Sequence, residues 1–366
     1  MQSYKNGKWA KQILAQRQED GLWGNFHTLS CPVPGKSYTT EQAIRRLYYL
    51  GYTANDEVIQ TVLRRMEQCV KGELAIDGYS EKKHDWPFFE KLMLSAWLRI
   101  FEPQNETALE VAYQWAQVVE KAFSSGSYSR EDDISAFTQW KGRKPKSRFE
   151  IGFGMFYHAA LLVGVLSPKT EDLFLEYYLS KPDGMFYIYD QPLNQPPEIF
   201  SSRSSSRYLA AIEVLNRYGQ SEEKLNFVRD WLYANQEENG QWDFGEKAKD
   251  NVYFPLSDIW SKEKELQTRP TESANYFHTL ITDMICRLLL AFDHACEVAS
   301  EGERKELMWA FIERIELFPE KQPDGNWIRK IIFNFPVPVN GTEVKELPLE
   351  NETMVEVICE LNRVER

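Results

Sequence analysis

Apolar residues recur at three- and four-residue steps along most of the chain. One stripe runs from Val58 to Cys69 behind Asn55, a residue type that often caps a helix N-terminus. Each stripe predicts a helix with one buried face. The predicted helices of this kind cover 4–18, 55–71, 107–123, 168–179 and 221–235.

A second kind of helix is apolar over more of its circumference, which predicts burial on two sides. These inner helices alternate with the outer ones, so the sequence predicts five helical hairpins. The long loops precede the inner helices and should gather at one end of the array, where function usually lies. The predicted inner helices cover 40–50, 86–101, 149–163, 205–218 and 272–292, and the long loops 19–39, 72–85, 124–148, 180–204 and 236–271.

The pattern changes after about residue 303. The segment Phe311–Val339 has strand-like runs on both sides of a Pro-Asp-Gly turn, which predicts a β-hairpin. A turn-rich segment with a short terminal helix is expected to follow. The predicted fold class is therefore all-α, with a small C-terminal β-hairpin appendage.

Two motifs follow predicted outer helices, and each contains a Gln, a Gly and a Trp. A glycine can supply the left-handed backbone that ends a helix, and the Trp can then fold back to pack. This spacing resembles the QW repeat of the squalene–hopene cyclase and protein prenyltransferase β-subunit superfamily. The motifs are Gln18, Gly21 and Trp23, then Gln236, Gly240 and Trp242, with a weaker variant at Lys181–Phe186.

The resemblance covers about residues 5–295 and implies an α/α toroid, or a partial toroid, of about five hairpins as a domain over 1–300. The catalytic motifs of that superfamily are missing. The nearest stretch to a cyclase D-x-D-D motif is Arg130–Asp133, which we interpret as a helix start. Neither the D-x-C zinc motif nor a D-D-x-x-D diphosphate motif occurs, so the sequence leaves open whether the protein is an enzyme.

Residues 303–366 carry a second resemblance. The pattern E-R-I-E…P-E-K-Q-x-x-G-x-W…F-x-F-P and the terminal E-N-E-T…V-E-V resemble the C-terminal segment of large serine recombinases. The recombinase catalytic domain and its zinc-binding cysteines are absent, so recombinase function is not implied. We interpret 301–366 as a recombinase-tail-like module joined to the toroid-like domain in a natural fusion.

Charge and cysteine usage exclude several classes of function. A net charge of −12 argues against nucleic acid as a partner, and we interpret the basic run Lys141–Arg148 as a solvated loop. Five scattered cysteines with no C-x-x-C pair predict neither a metal site nor disulfides, and no cofactor is expected. Without an apolar run of about 18 residues, no transmembrane segment is expected, and a cytoplasmic location is predicted.

The candidate site residues lie on the predicted long loops. Asp85, Asp190 and Asp258 are weak catalytic candidates, and Asp85 is also interpreted as a helix N-cap. Glu41 is assigned to a favourable interaction with a helix dipole. His27 is interpreted as a core residue. The ligand-binding candidates are His84, Tyr187, Tyr189, Arg203, Tyr253 and Trp260.

Three functions remain open at this point. The first is a diverged terpenoid cyclase-like or prenyltransferase-like protein that binds a small or linear organic ligand, such as a lipid or glycan, in a central cavity. The second is a non-catalytic protein-interaction scaffold. The third is a carbohydrate-active α/α-toroid enzyme, which needs two carboxylates roughly 5–10 Å apart.

Overall fold

The computed structural model describes residues 5–27, 38–76, 85–146, 150–186, 188–237, 242, 312–320, 328–339 and 342–348 of the 366-residue chain. The described chain is mostly helical and includes one small antiparallel sheet. The helices are α1 Lys8–Leu14, α2 Thr40–Tyr49, α3 Glu57–Lys71, α4 Trp86–Phe101, α5 Glu106–Ala122, α6 Arg130–Lys141, α7 Phe156–Leu161, α8 Pro168–Ser180, α9 Arg203–Leu215, α10 Ser221–Lys224 and α11 Asn226–Ala234.

The predicted inner helix at 40–50 is confirmed as α2. Thr39 accepts a hydrogen bond from the Gln42 amide, and the Gln42 side chain accepts one from the Thr39 amide. This reciprocal capping box satisfies two backbone donors at the helix start. The helix start places Glu41 in the first turn of α2, facing the protein interior.

The predicted helix at 86–101 is confirmed as α4, which is buried along most of its length. Pro87 stands in its first turn, where a missing backbone N–H costs nothing. α4 contacts α3, α5 and α7, and α7 in turn contacts α9. Among the predicted inner helices, α7 therefore neighbours both α4 and α9.

The prediction of one continuous helix over 149–163 is wrong. A short 3-10 turn at Ile151–Phe153 ends at Gly154, and α7 begins only at Phe156. Gly154 has a φ of 69°, which breaks a right-handed helix, and its carbonyl accepts a hydrogen bond from the Phe186 amide at 3.0 Å. The predicted helix at 221–235 is likewise divided, into α10 and α11.

The prediction of a loop over 124–148 is wrong in part, because this segment contains a helix. Residues 124–148 were expected to connect an outer helix to an inner one, but α6 occupies Arg130–Lys141 and packs against α5. Its start at Arg130 agrees with our interpretation of the Arg130–Asp133 stretch. Ser129 caps α6 by accepting a hydrogen bond from the Asp132 amide.

The C-terminal sheet contains three strands, β1 Ile312–Leu317, β2 Ile328–Val339 and β3 Thr342–Pro348, in the order β1-β2-β3. The predicted β1–β2 hairpin is confirmed. The sequence predicts a turn-rich segment after it, but Thr342–Pro348 forms β3, which pairs antiparallel with β2. The predicted terminal helix lies outside the described residues. The sheet belongs to a different compact unit from α1–α11.

The first QW-like motif closes the end of α1. Gly21 has a φ of 87°, and the Trp23 side chain is buried. The Trp23 indole N–H donates to the carbonyl of Ile13 at 2.7 Å, in the last turn of α1. In the second motif Gln236 and Trp242 are described and Trp242 is buried, whereas Gly240 lies outside the described residues.

Candidate functional site

The most polar part of the helical core is built around Glu41. This side chain is 0% exposed, although it stands only in the first turn of α2. Its Oε1 accepts the indole N–H of Trp97 on α4 at 2.7 Å and the hydroxyl of Tyr157 on α7 at 2.6 Å. Three inner helices therefore meet at one carboxylate oxygen.

A buried guanidinium lies one turn further along α2. Arg45 is 4% exposed, and its charged carbon lies 5.1 Å from the Phe156 ring centroid and 5.9 Å from that of Tyr49. Burial, and then the charge of Glu41, raise the pKa of the Tyr157 phenol well above its ordinary value, while the charge of Arg45 acts in the opposite direction. The phenol therefore stays a hydrogen-bond donor to Glu41 across the physiological pH range.

A second set of polar contacts connects α2 with α9. The Tyr49 hydroxyl donates to Glu213. The guanidinium of Arg217, just beyond the end of α9, donates to the Tyr48 hydroxyl at 3.3 Å and to the Ile100 carbonyl at 3.2 Å. The first and fourth predicted inner helices are thus joined directly by side chains.

These contacts surround a pocket between α2, α4, α7 and α9. It measures about 330 Å³, counting the space that opens to solvent at its mouth. The lining combines two guanidinium groups, one carboxylate and several aromatic rings. The lining residues are Arg45, Tyr48, Tyr49, Trp97, Ile100, Phe156, Ala210, Glu213, Val214 and Arg217.

Aromatic rings separate Glu41 from the beginning of α4. Tyr157 lies 5.6 Å from Phe89 between ring centroids, and His27 lies 5.1 Å from Phe89 and 6.3 Å from Tyr157. His27 is 9% exposed and makes edge contacts with this cluster. It therefore packs as a core residue, as expected from the sequence, but it does so close to the site.

The pocket lies at the opposite end of the inner helices from the long loops. Its residues on α2, α4 and α9 come from the second half of each helix or just beyond it. The predicted loops join the N-terminal ends of those helices. The sequence therefore predicts a site at the loop end of the helices, whereas the described residues of α2, α4 and α9 line a pocket at the other end.

None of the predicted site residues that the structure describes lines this pocket. Asp85 stands at the N-cap position of α4, but its carboxylate makes no capping hydrogen bond and is instead paired with Arg143. Asp190 is exposed, whereas Tyr189 is buried against Tyr208. Arg203 begins α9. The candidates His84, Tyr187, Tyr253, Asp258 and Trp260 lie outside the described residues.

The site residues that the sequence reasoning missed are Glu41, Arg45, Glu213 and Arg217. Glu41 looked like an ordinary first-turn glutamate, and its burial depends on two donors far away in sequence. One signal was available. Glu41 and Arg45 are opposite charges four residues apart, on a helix predicted to be buried all round, and buried charges are rare unless they are paired.

A second buried carboxyl lies away from the pocket. Asp133 on α6 is 1% exposed, and its Oδ2 accepts the Tyr128 hydroxyl and the Ile151 amide, both at 2.8 Å. Burial is the largest cause of its raised pKa, about 6, and the charge of Glu150 adds to the rise. This carboxyl ties α6 to the 3-10 turn before α7.

Comparison with known proteins gives no relative for this chain: no family model, curated protein or solved structure matches. In the part of the chain that the structure describes, no cluster of His, Cys, Asp and Glu side chains could hold a metal ion. None of the described helices combines the length and apolar character needed to cross a bilayer. The site must therefore be judged from its own chemistry.

Proposed function

We propose that the helical unit binds a small organic acid in the pocket between α2, α4, α7 and α9. The observation that carries this proposal is the meeting of two guanidinium groups, Arg45 and Arg217, with an aromatic lining. Guanidinium groups bind carboxylates and phosphates through fixed, paired donors. The rings of Trp97 and Phe156 suit an apolar portion of the same ligand.

Two carboxylates stand on or behind the lining of the pocket, beside its two guanidinium groups. Glu213 is the only carboxylate among the lining residues, and it accepts the Tyr49 hydroxyl. Glu41 lies behind the lining and accepts donors from Trp97 and Tyr157. These two carboxylates match Arg45 and Arg217 in formal charge, so an anionic ligand would be held by the N–H donors of the guanidinium groups and not by a net positive field.

The pocket dimensions limit the ligand. The pocket encloses only about 30 Å³ once open solvent is left out, whereas ligand pockets typically enclose roughly 300–1,000 Å³, so only a small group fits into it. A long polyene would not fit among the described residues without movement of α9. We therefore propose a compact ligand, or the acidic head of a longer one.

An α/α-toroid arrangement is part of this proposal. The alternation of inner and outer helices supports it, and so do the contacts of α4 with α7 and of α7 with α9. In such an array the inner helices surround the ligand, as α2, α4, α7 and α9 surround this pocket. The reaction, if there is one, is not part of the proposal, because the pocket holds no recognisable catalytic set.

The test is calorimetric titration of the full-length protein with matched pairs of acids and neutral analogues. We would compare medium-chain carboxylic acids and short prenyl diphosphates with the corresponding alcohols. The acids should bind and the alcohols should not. Replacing Arg217 by Gln should weaken acid binding about tenfold to a hundredfold, because a hydrogen bond to a charged group contributes about 1.5–3 kcal/mol.

Arg64→Gln on the exposed surface of α3 is the matched control, since it removes the same charge outside the pocket. Its affinity should equal that of the unmodified protein. Native mass spectrometry of protein purified from its own host would identify a retained ligand directly. If acids and alcohols all fail to bind and no ligand co-purifies, the proposal is wrong and the alternative of a non-catalytic scaffold is favoured.

A further inference from the structure

A compact basic surface lies at the beginning of α4 and the end of α6, in a chain whose net charge is −12. Lys91 projects from α4, and Lys141 ends α6. The segment after α6 adds further cations, which are exposed. The basic surface comprises Lys91, Lys141, Arg143, Lys144 and Lys146.

Aromatic rings hold two of these cations in place. The Lys141 ammonium lies 4.5 Å from the ring centroid of Phe88 and 3.3 Å from that of Trp140. The Arg143 guanidinium lies 5.2 Å from the same Phe88 ring. The first residues of the basic run are therefore held against α4 and α6. The sequence instead predicts a solvated loop for the whole run.

Like charges are crowded at this surface. Burial, and then the charge of Lys91, lower the pKa of the Lys141 ammonium to about 8. Two carboxyls, Asp85 and Glu90, stand near these cations. Asp85 is paired with Arg143, and Glu90 is partly buried and accepts a hydrogen bond from Trp86. Five cations face two carboxyls that are already engaged, so the surface carries a net positive charge.

We propose that this basic surface binds the phosphate-rich face of an anionic lipid bilayer. Each Lys or Arg near such a membrane is attracted by its negative surface potential, within about one Debye length. Trp86 and Phe88 are half-buried and Pro87 is exposed at the same place. Aromatic residues beside cations suit the interface between lipid headgroups and water.

Nucleic acid is the less suitable anion for this surface. Single-stranded nucleic acid binds through free aromatic faces on which its bases stack. Here the faces of Phe88 and Trp140 are covered by cations of the protein itself. Binding to a nucleic-acid duplex needs a longer basic stripe that follows many phosphates. Here four of the five cations lie within residues 141–146, and the fifth is Lys91 on α4.

The test is co-flotation of the full-length protein with lipid vesicles. Phosphatidylcholine vesicles with about one-third phosphatidylglycerol should retain the protein at low salt, and pure phosphatidylcholine vesicles should not. Binding to the anionic vesicles should fall at least tenfold at about 0.5 M salt, because screening shortens the reach of the charges. Millimolar glycerol phosphate should not compete, which distinguishes a bilayer from a free headgroup.

The double variant Lys144→Glu and Lys146→Glu should reduce vesicle binding at least tenfold. Lys11→Glu with Lys169→Glu is the matched control, since these lysines are exposed on α1 and α8 and the change in net charge is the same. Circular dichroism and thermal midpoints would establish that both variants fold. Equal losses in the two variants, equal binding to both kinds of vesicle, or tighter binding to a single-stranded oligonucleotide would each overturn the proposal.

Discussion

Glu41 and Asp133 are both buried carboxylic acids that accept a tyrosine hydroxyl, yet they stand in very different surroundings. Glu41 lies where three inner helices meet, with Arg45 one turn away and a pocket beside its partner Trp97. Asp133 lies on α6, where it holds a turn in place and the nearby charge of Glu150 opposes its ionisation. Burial alone therefore does not mark a binding site. A guanidinium and an open pocket distinguish the first carboxyl from the second.

The largest expected effect is that of Glu41→Ala. The substitution leaves the indole N–H of Trp97 and the hydroxyl of Tyr157 buried without their acceptor, and it removes a charge that faces Arg45. We expect a loss of about 3–5 kcal/mol in the free energy of unfolding, measured by urea titration.

Glu57→Ala is the control for that variant, because Glu57 also stands in the first turn of a helix but is exposed. A first-turn glutamate that acts only through the helix dipole contributes about 0.3–1 kcal/mol. Equal losses in the two variants would show that Glu41 acts through the dipole alone, which is the role that the sequence suggested.

Asp133→Asn should change how stability depends on pH. The folded pKa, about 6, lies above the ordinary value of 3.8, so between these pH values the folded protein keeps a proton that the unfolded chain has released. Stability therefore falls as pH rises through this window, by up to about 3 kcal/mol, and stays lower above it.

The asparagine variant cannot ionise and should lack this component. Urea titrations from pH 4 to pH 7 should show the variant gaining stability relative to the unmodified protein as the pH rises. A constant difference across that range would mean that Asp133 titrates normally. It would also remove the electrostatic difference between Asp133 and Glu41, whose neighbour Arg45 is a cation.

Tyr49→Phe should have a smaller effect, on stability and on the pocket together. It removes the hydroxyl that donates to Glu213 and so cuts one connection between α2 and α9. We expect a loss of about 1 kcal/mol in the free energy of unfolding. Tyr113→Phe is the matched control, since Tyr113 is 55% exposed and should show no loss.

The smallest effect should come from Arg130→Ala. Arg130 forms an exposed ion pair with Glu150, 2.8 Å between Nη2 and Oε1, close to Asp133. Exposed pairs of this kind contribute little because solvent and salt screen them. The thermal midpoint should not change within error. A clear decrease would show that the surroundings of Asp133 depend on this pair as well as on burial.

Much of the helical pattern follows from local sequence. α4 begins and ends where predicted, because Asp85–Pro87 and Pro103 are strong boundary signals and the intervening residues are apolar. α6 was missed because only Asp133 and Phe137 are buried along it, so its sequence shows no apolar stripe. The sequence does not predict the break before α7, because the break depends on the left-handed backbone of a single residue, Gly154.

The site was harder to predict than the helices. Glu41 is joined to Tyr157 across 116 positions, and Arg217 to Tyr48 across 169. A periodic pattern records which face of a helix is buried, but not which distant side chain meets it. The loop aspartates are predicted as site residues because they are polar and close to predicted helix starts. The charged residues of the pocket lie within helices whose sequences indicate only a structural role.

The hydrogen bond between Tyr49 and Glu213 has a consequence for how the protein matures. The two residues are separated by 164 positions. The pocket therefore lacks α9, the last of its four helices, until more than half of the chain has been synthesised. Helices α2 to α7 can form local contacts as they leave the ribosome, since such contacts close short loops. A ligand present during synthesis would therefore meet its complete binding site only after α9 emerges.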